Sequence, residues 1–188
     1  MPPNPVSRDE RINDVTLDLL RTKGPRAVTV EAVAARANVA KTTIYRRYRD
    51  RQEMLAAALT SLTQPPPPPA TSTAAPILEW LIDQCYNAIE KGIGVGGVAA
   101  LLTDEDPAFT NLIRSLLVKH RQALAEALQH GSKNKQIRRD LDVETVLDLI
   151  VGAYLAERAR SGRVTAGWAD RILRTLWPAL TTARPAKR

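Results

Sequence analysis

The sequence predicts an all-α protein, with an N-terminal helix-turn-helix domain followed by a larger helical domain. Apolar residues recur at the i, i+3, i+4 spacing of a buried helix face along most of the chain. Glycine, proline and asparagine separate these periodic segments at the places where helices end. No segment shows the alternation of polar and apolar residues that is typical of a convincing strand.

Composition restricts the class of protein. The chain has 188 residues and 44% apolar content, enough for one sizeable domain or for a small domain joined to a larger one. Lysine and arginine outnumber acids 27 to 20, and the net charge of +7 favours an anionic partner. A single cysteine, Cys85, excludes an intramolecular disulfide, as expected in a reducing cytoplasm. We expect a cytoplasmic protein with no membrane partner, because no run of 18 apolar residues occurs.

The N-terminal segments carry clear helix boundaries. Residues 1–7 predict a flexible arm, and a first helix follows at 8–23. Gly24 predicts its end, since glycine adopts the backbone conformation of a helix C-cap. Thr29 is placed to cap the second helix through its hydroxyl. Asn38 then predicts a tight turn, because asparagine tolerates the left-handed region.

The third helix, predicted at 41–48, has two chemically different sides. Ile44 and Tyr48 fall on one side and are predicted to pack inward, together with Leu55. Six basic residues and one acid lie between Arg36 and Arg51. A lone charge run is usually a solvated surface, but here it coincides with bihelical spacing and an asparagine turn. The side opposite Ile44 and Tyr48 carries Thr42, Tyr45, Arg46 and Arg49. We therefore predict a helix-turn-helix whose second helix enters the DNA major groove.

The domain organisation follows from these segments. With a fourth helix, the DNA-binding domain is predicted at 8–62, and a proline-rich connection at 63–76. A larger helical domain at 77–182 and a basic tail at 183–188 complete the chain. Pro65–Pro69 has two interpretations: a stiff surface connection, which we favour, or a docking site for a proline-recognising module.

Residues 11–59 resemble the DNA-binding region of TetR-family transcriptional regulators. The resemblance depends on an Arg-Ile opening, the stop at Gly24, "TV" before the second helix, "V-x-K-x-T-hydrophobic-Tyr" in the third, and a basic residue shortly before Met54-Leu55. The family often has glycine at Asn38, serine at Ala40 and glycine at Thr42. At Tyr48 its aromatic residue is usually phenylalanine or tryptophan.

The resemblance implies which residues contact DNA. A homodimer would bind a palindromic operator in double-stranded DNA, and a small-molecule effector would change that binding, most commonly in a repressor. Phosphate contacts are implied for Thr29 and Arg51. Base or backbone contacts are implied for Lys41, Thr42, Thr43, Tyr45, Arg46 and Arg47.

The resemblance also implies that the C-terminal domain binds the effector and dimerises through its last two helices. The effector is unidentified; an apolar lining would suit a lipophilic molecule. Aromatic, polar or soft residues at apolar positions are the candidate ligand contacts: Trp80, Gln84, Cys85, Phe109, His120 and Tyr154. The predicted dimer interface consists of Val146, Ile150, Ala153, Trp168, Ile172, Leu176 and Trp177. The alternative is that both helices simply close the core of a monomer.

The sequence lacks the motifs expected of a dinucleotide-binding protein, a metalloprotein or an enzyme. "GIGVGG" at Gly92–Gly97 has the spacing of a dinucleotide motif but follows a helix, so we predict a flexible connection. Two separated histidines and one cysteine predict no metal site, and no cofactor or catalytic motif is present. A sequence-independent, architectural DNA-binding protein is the main alternative. A helical adaptor that recruits a partner through the proline run is the other.

Overall fold

The computed structural model describes residues 7–60, 64–70, 73–131, 137–138 and 140–181, and most of these residues are helical. These residues include no β-strand, only an isolated antiparallel bridge between Ile137 and Thr181. The all-α prediction is confirmed. The predicted arm, apart from Ser7, and the predicted tail at 183–188 lie outside the described residues. No helix in the described ranges is long and apolar enough to cross a membrane.

The described helices lie close to their predicted positions. A 3-10 turn at Pro25–Ala27 precedes the second helix, and a π-helical segment at Ala88–Ile93 joins the fifth to the sixth. The α-helices are α1 (Arg8–Lys23), α2 (Val30–Ala37), α3 (Lys41–Tyr45), α4 (Arg51–Ala58), α5 (Ala74–Asn87), α6 (Gly94–Thr103), α7 (Pro107–Gly131), α8 (Val143–Ser161) and α9 (Trp168–Leu180).

Local chemistry fixes the ends of the first helices. Ser7 and Glu10 form a capping box on α1, in which each side chain accepts a hydrogen bond from the other residue's backbone N–H. Gly24, with φ of 78°, ends α1. Thr29 Oγ1 accepts a hydrogen bond from Ala32 N at 3.1 Å and so caps α2 as predicted. These contacts fix both ends of α1 and the start of α2, the first helix of the predicted helix-turn-helix.

The chain divides into two compact units. The first contains residues 1–64 and 88–118, and the second contains residues 65–87 and 119–188. In the first unit, α1 to α4 share one core with α6 and the beginning of α7. That core includes Ile12, Leu20, Val33, Ile44, Met54, Leu55, Leu59, Ile93, Ala100, Phe109 and Ile113.

The predicted connection at Gly92–Gly97 contains a kink between two helical segments: Gly92 has non-helical backbone angles, with φ of −92° and ψ of −108°, and α6 begins at Gly94. Gly94 has φ of 68°, and a Cβ added there would lie 2.6 Å from Arg21 Cα. The Arg21 guanidinium also donates a hydrogen bond to Lys91 O at 2.6 Å. The glycines are therefore used for a close approach of α6 to α1, and that tertiary contact orders the segment.

In the second unit, α5 packs against both α8 and α9. Tyr154 is 1% exposed, and its ring meets Tyr86 and Trp168 edge-on, with centroids 5.8 and 5.9 Å away. The connection from α8 to α9 is held by Glu157, whose carboxylate accepts hydrogen bonds from Thr165 and Arg171. The apolar pattern of the sequence predicts a last helix from Val164, but these contacts hold residues 164–167 as a connection and α9 begins at Trp168.

Candidate nucleic-acid interface

The candidate interface is built on a helix-turn-helix formed by α2, a three-residue turn and α3. Asn38 adopts the left-handed conformation, with φ of 53° and ψ of 52°, as its side chain permits. Val39 N donates a hydrogen bond to Ala34 O at 3.0 Å and closes the turn. Ala40 precedes α3 and supplies no side-chain cap, so Thr43 N is satisfied by Ala40 O at 2.9 Å.

One side of α3 is buried. Ile44 has no exposed surface and Tyr48, just beyond the helix, is 5% exposed. The Tyr48 hydroxyl lies 3.3 Å from Asn13 Oδ1, to which it donates a hydrogen bond, so this side chain joins the segment after α3 to α1. The predicted inward orientation of Ile44, Tyr48 and Leu55 is confirmed.

The opposite side of α3 faces solvent. Tyr45 is 54% exposed, so its ring and hydroxyl can reach a partner. Thr43 is half-buried at the edge of this surface. The exposed members are Lys41, Thr42, Tyr45, Arg46 and Arg47. Together they present hydroxyls, a phenol and three cations, which suit phosphates and base edges.

The cations on this surface differ in their intramolecular partners. Lys41 Nζ lies 3.1 Å from Glu31, and Arg47 lies 3.2 Å from Asp9. Exposed pairs of this kind contribute about 0–1 kcal/mol, so a phosphate can displace the acid. Arg46 has no ion-pair partner among the described residues, and its guanidinium is therefore available to DNA without breaking an internal contact.

The two residues predicted to hold phosphates lie in different environments. Thr29 accepts the capping hydrogen bond and keeps its own O–H available as a donor. The Arg51 guanidinium is used internally: it donates to Val28 O at 2.6 Å, to Pro25 O at 2.5 Å and to Asp106 at 2.8 Å. In this structure Arg51 therefore positions the turn before α2, and its phosphate contact stays a prediction.

Asp106 was not among the predicted functional residues. Its carboxylate pairs with Arg51 and also accepts a hydrogen bond from Phe109 N at 3.1 Å, which caps α7. These hydrogen bonds, with the nearby Arg51 charge, lower the pKa of Asp106 against the opposing effect of burial. The capping role was visible in the sequence, because Asp106 precedes Pro107 at a helix start. Its pairing with a residue 55 positions earlier was not visible.

The predicted ligand contacts are divided between the two units. Phe109 is fully buried in the core of the first unit, and the other five residues lie in the second. Trp80 Nε1 is buried and has no hydrogen-bond partner among the described residues. Burial raises the pKa of the Cys85 thiol to about 12, so this cysteine is a neutral, unreactive group. His120 and Tyr154 are both buried, and Gln84 is half-buried. Their role in ligand binding stays a prediction.

The predicted interface residues differ in exposure. On α8, Val146 and Ile150 are buried within their own chain, and Trp168 at the start of α9 is 4% exposed. The other predicted members are half-buried: Ala153, Ile172, Leu176 and Trp177. An exposed apolar strip runs beside Ala153 along α8, formed by Leu149, Gly152 and Ala156. Among the described residues no group of three or more metal-binding side chains occurs.

Comparison with known proteins agrees with this geometry. Residues 12–58 match the family model described as bacterial regulatory proteins, tetR family. An uncharacterized HTH-type transcriptional regulator of Mycobacterium tuberculosis is 32% identical over 162 residues, which is 84% of this chain and 79% of that protein. The HTH-type regulator YdeS of Bacillus subtilis, also uncharacterized, is 28% identical over 159 residues, covering 77% of each chain.

Solved structures share the fold at low identity. A TetR transcriptional regulator from Agrobacterium tumefaciens superposes with a TM-score of 0.65 at 19% identity, over 95% of this chain and 96% of that one. The ketosteroid regulator KstR2 of Mycobacterium tuberculosis gives a TM-score of 0.57 at 18% identity, over 96% and 98% of the two chains. The chain belongs to the TetR family of DNA-binding transcriptional regulators and is not an enzyme.

Proposed function

We propose that this regulator is a ligand-responsive repressor that binds a palindromic operator as a homodimer and is released by a small lipophilic effector. In that role it is a cytoplasmic protein that associates with the nucleoid when it is bound to DNA. Different residues support the DNA-binding surface, the homodimer and the release by an effector.

The observation that carries the proposal is the two-sided construction of α3. Ile44 and Tyr48 anchor the helix in the core, so the exposed side chains project from a rigid support. Arg46 and Tyr45 stand out from this support without an ion pair that must be broken. Arginine can bond guanine O6 and N7 together, and the Thr42 methyl can contact a thymine methyl. These two contacts distinguish one base from another, which contacts to phosphates alone do not.

The apolar strip on α8 supports a dimer. Leu149 is 52% exposed, and an ideal Cβ built at Gly152 meets no atom within 4 Å. Small residues next to a leucine allow two helices to approach closely, and a two-fold axis would bring each strip against its copy. To bind a palindromic operator, such a dimer has to hold its two copies of α3 about 34–36 Å apart, the spacing of successive major grooves.

The second unit supports effector binding in a weaker way. Trp80 leaves an indole N–H buried without an acceptor among the described residues. A buried donor in this state costs about 1–3 kcal/mol, and a ligand that brings a carbonyl or hydroxyl oxygen would recover that free energy. Release follows only if the effector binds the DNA-free conformation more tightly than the DNA-bound one.

Selection from a random duplex pool at about 0.15 M salt tests the DNA-binding part, because non-specific binding is weak under those conditions. We expect an inverted repeat whose half-sites lie about one helical turn apart. The matched control is the Arg46→Ala protein, which should recover either no motif or a motif degenerate at one position in each half-site.

Two other outcomes would contradict the proposal. Binding that weakens equally on every duplex as salt rises would identify an architectural protein that does not read sequence. A single, non-repeated half-site would contradict the dimer. The recovered operator then serves as the probe in a screen for lipophilic molecules that release it, and a reporter placed behind it distinguishes repression from activation.

A further inference from the structure

A cleft lies in the second unit where the end of α5 meets the connection between α8 and α9. Its volume is about 250 Å³, and its walls include Asp83, Tyr86, Thr165, Gly167 and Trp168. This volume is just below the ~300 Å³ at which pockets for drug-sized ligands begin, so it suits a compact molecule. None of the residues predicted to contact the effector lines it.

The cleft carries an uncompensated negative charge. Asp83 is exposed and has no ion-pair partner among the described residues. Its helix, α5, contains two acids, Glu79 and Asp83, and no basic residue. In a chain of net charge +7 such a helix is exceptional, and it favours a cation at this end of the unit.

Two aromatic residues line the same cleft as Asp83. The rings of Tyr86 and Trp168 have centroids 6.1 Å apart and are tilted by 38°, and both residues line the cleft. Tyr154 holds them from beneath through edge-on contacts to each ring. An organic cation gains free energy both from such rings and from a nearby carboxylate, whereas a neutral apolar molecule gains from the rings alone.

The opposite wall is rigid. Glu157 Oε1 accepts hydrogen bonds from Thr165 N at 2.9 Å and from its hydroxyl at 2.5 Å. Arg171 lies 2.9 Å from the same carboxylate and donates to Ala166 O at 3.1 Å. The positive charge of Arg171 is thereby neutralised by Glu157, which leaves the Asp83 carboxylate as the charge exposed in the cleft.

We propose that the cleft formed by Asp83, Tyr86, Trp168 and the 164–167 connection binds a compact organic ammonium ion. Asp83 supplies the counter-charge, the half-buried ring of Tyr86 supplies the cation–π contact, and Trp168, which is buried, packs against that ring and supports it. This site goes beyond the proposed function, because its occupation requires neither DNA nor the residues predicted for the lipophilic effector.

The test uses the DNA-free, full-length protein and tetramethylammonium chloride as the probe. Backbone amide NMR shifts are followed during titration at constant ionic strength, maintained by replacing sodium chloride. We expect saturable shifts centred on Gly167 and Trp168, with a dissociation constant in the millimolar range or below. tert-Butanol, a neutral molecule of similar shape, should shift these amides at least about fivefold less at equal concentration.

Variants separate the two contributions. Asp83→Asn keeps the shape and removes the charge, and should weaken binding at least about fivefold; Tyr86→Leu removes a ring and should do the same. The matched control is Glu79→Gln, which removes the other exposed acid of α5 and should bind like the parent protein. Equal binding of tert-butanol, an unaffected Asp83→Asn protein, or shifts spread over the whole chain would overturn the proposal. Failure here would leave the operator-binding experiment unaffected.

Discussion

Arg46 is the residue whose substitution separates recognition from folding most cleanly. Its side chain is exposed and has no internal ion pair among the described residues, so Arg46→Ala should leave thermal unfolding unchanged. Specific operator affinity should fall by about 1–3 kcal/mol, the contribution of a bidentate arginine–guanine contact. Fluorescence anisotropy measures the specific affinity on the selected operator and the non-specific affinity on a scrambled duplex.

The control for this prediction is Arg114→Ala, on the exposed side of α7. It removes the same charge from the same unit, at a position outside the helix-turn-helix. Unchanged specific affinity for the Arg46→Ala protein would show that Arg46 does not read the operator. An equal loss in both variants would show that it contributes only long-range electrostatics.

Glu157 contributes to the stability of the folded protein by an amount that depends on pH. The Thr165 hydroxyl, the Thr165 backbone N–H and Arg171 lower its pKa from 4.5 to about 2, against the opposing effect of burial. A carboxyl whose pKa is lowered on folding stabilises the protein above its unfolded pKa. That contribution disappears as pH falls from about 4.5 towards 2. Glu157→Gln should therefore be less stable than the parent at pH 7, with a difference that narrows below pH 4.5.

Urea denaturation at several pH values measures this difference. The exposed Glu79→Gln serves as the comparison, because it removes an acid from the same unit without breaking a hydrogen-bonded cluster. A stability difference that is constant between pH 7 and pH 3 would show that the Glu157 carboxylate acts by packing rather than by charge.

The boundaries of single elements were predictable where neighbouring residues determine them. Gly24, Thr29 and Asn38 each act through their own backbone or within three residues, so the sequence predicted the stop, the cap and the turn. Arg51 was different, because its partners at Pro25, Val28 and Asp106 are up to 55 positions away. Residue chemistry indicated a cation there but not which oxygens it would meet.

Among the helices, α6 depends most on a single position. Gly94→Ala would place a Cβ 2.6 Å from Arg21 Cα, in a backbone conformation that L side chains rarely adopt. We expect a loss of at least about 2 kcal/mol in the free energy of unfolding, from strain and overpacking together. Gly96→Ala is the control, since its added Cβ would stand 3.5 Å from the nearest atom, which is ordinary contact.

Chemical denaturation distinguishes these two alanine variants, and operator binding is measured on both. If Gly94→Ala were as stable as Gly96→Ala, α6 would have to accommodate the clash by moving away from α1. The sequence predicted a connection here but not its close packing, because a glycine used for close packing and a glycine used for a loop are identical in sequence.

At the scale of the whole molecule, assembly should depend on the exposed strip of α8. Leu149→Glu places a charge on the largest side chain of that strip and should convert a dimer into a monomer, because burying an unpaired carboxylate in an apolar interface is strongly unfavourable. Light scattering after size-exclusion chromatography measures the mass. Operator affinity should fall with it, since each half-site would then bind independently.

The control is Leu102→Glu, because Leu102 on α6 is 77% exposed and is not part of the strip. It should remain a dimer and keep its operator affinity. A dimeric Leu149→Glu protein would place the interface elsewhere, and a parent protein that is already monomeric would favour the alternative in which α8 and α9 only close their own core.

The composition of the first unit's core limits how this protein can be re-engineered. Ile93, Ala100, Phe109 and Ile113 complete the core around α1 to α4, and Gly94 allows α6 to reach it. A DNA-binding module cut after residue 64 would leave that apolar surface open to water and to other copies of itself. Transplanting the operator specificity to another sensor therefore calls for exchange of the exposed residues of α3 alone, or for a graft that carries the chain as far as residue 118.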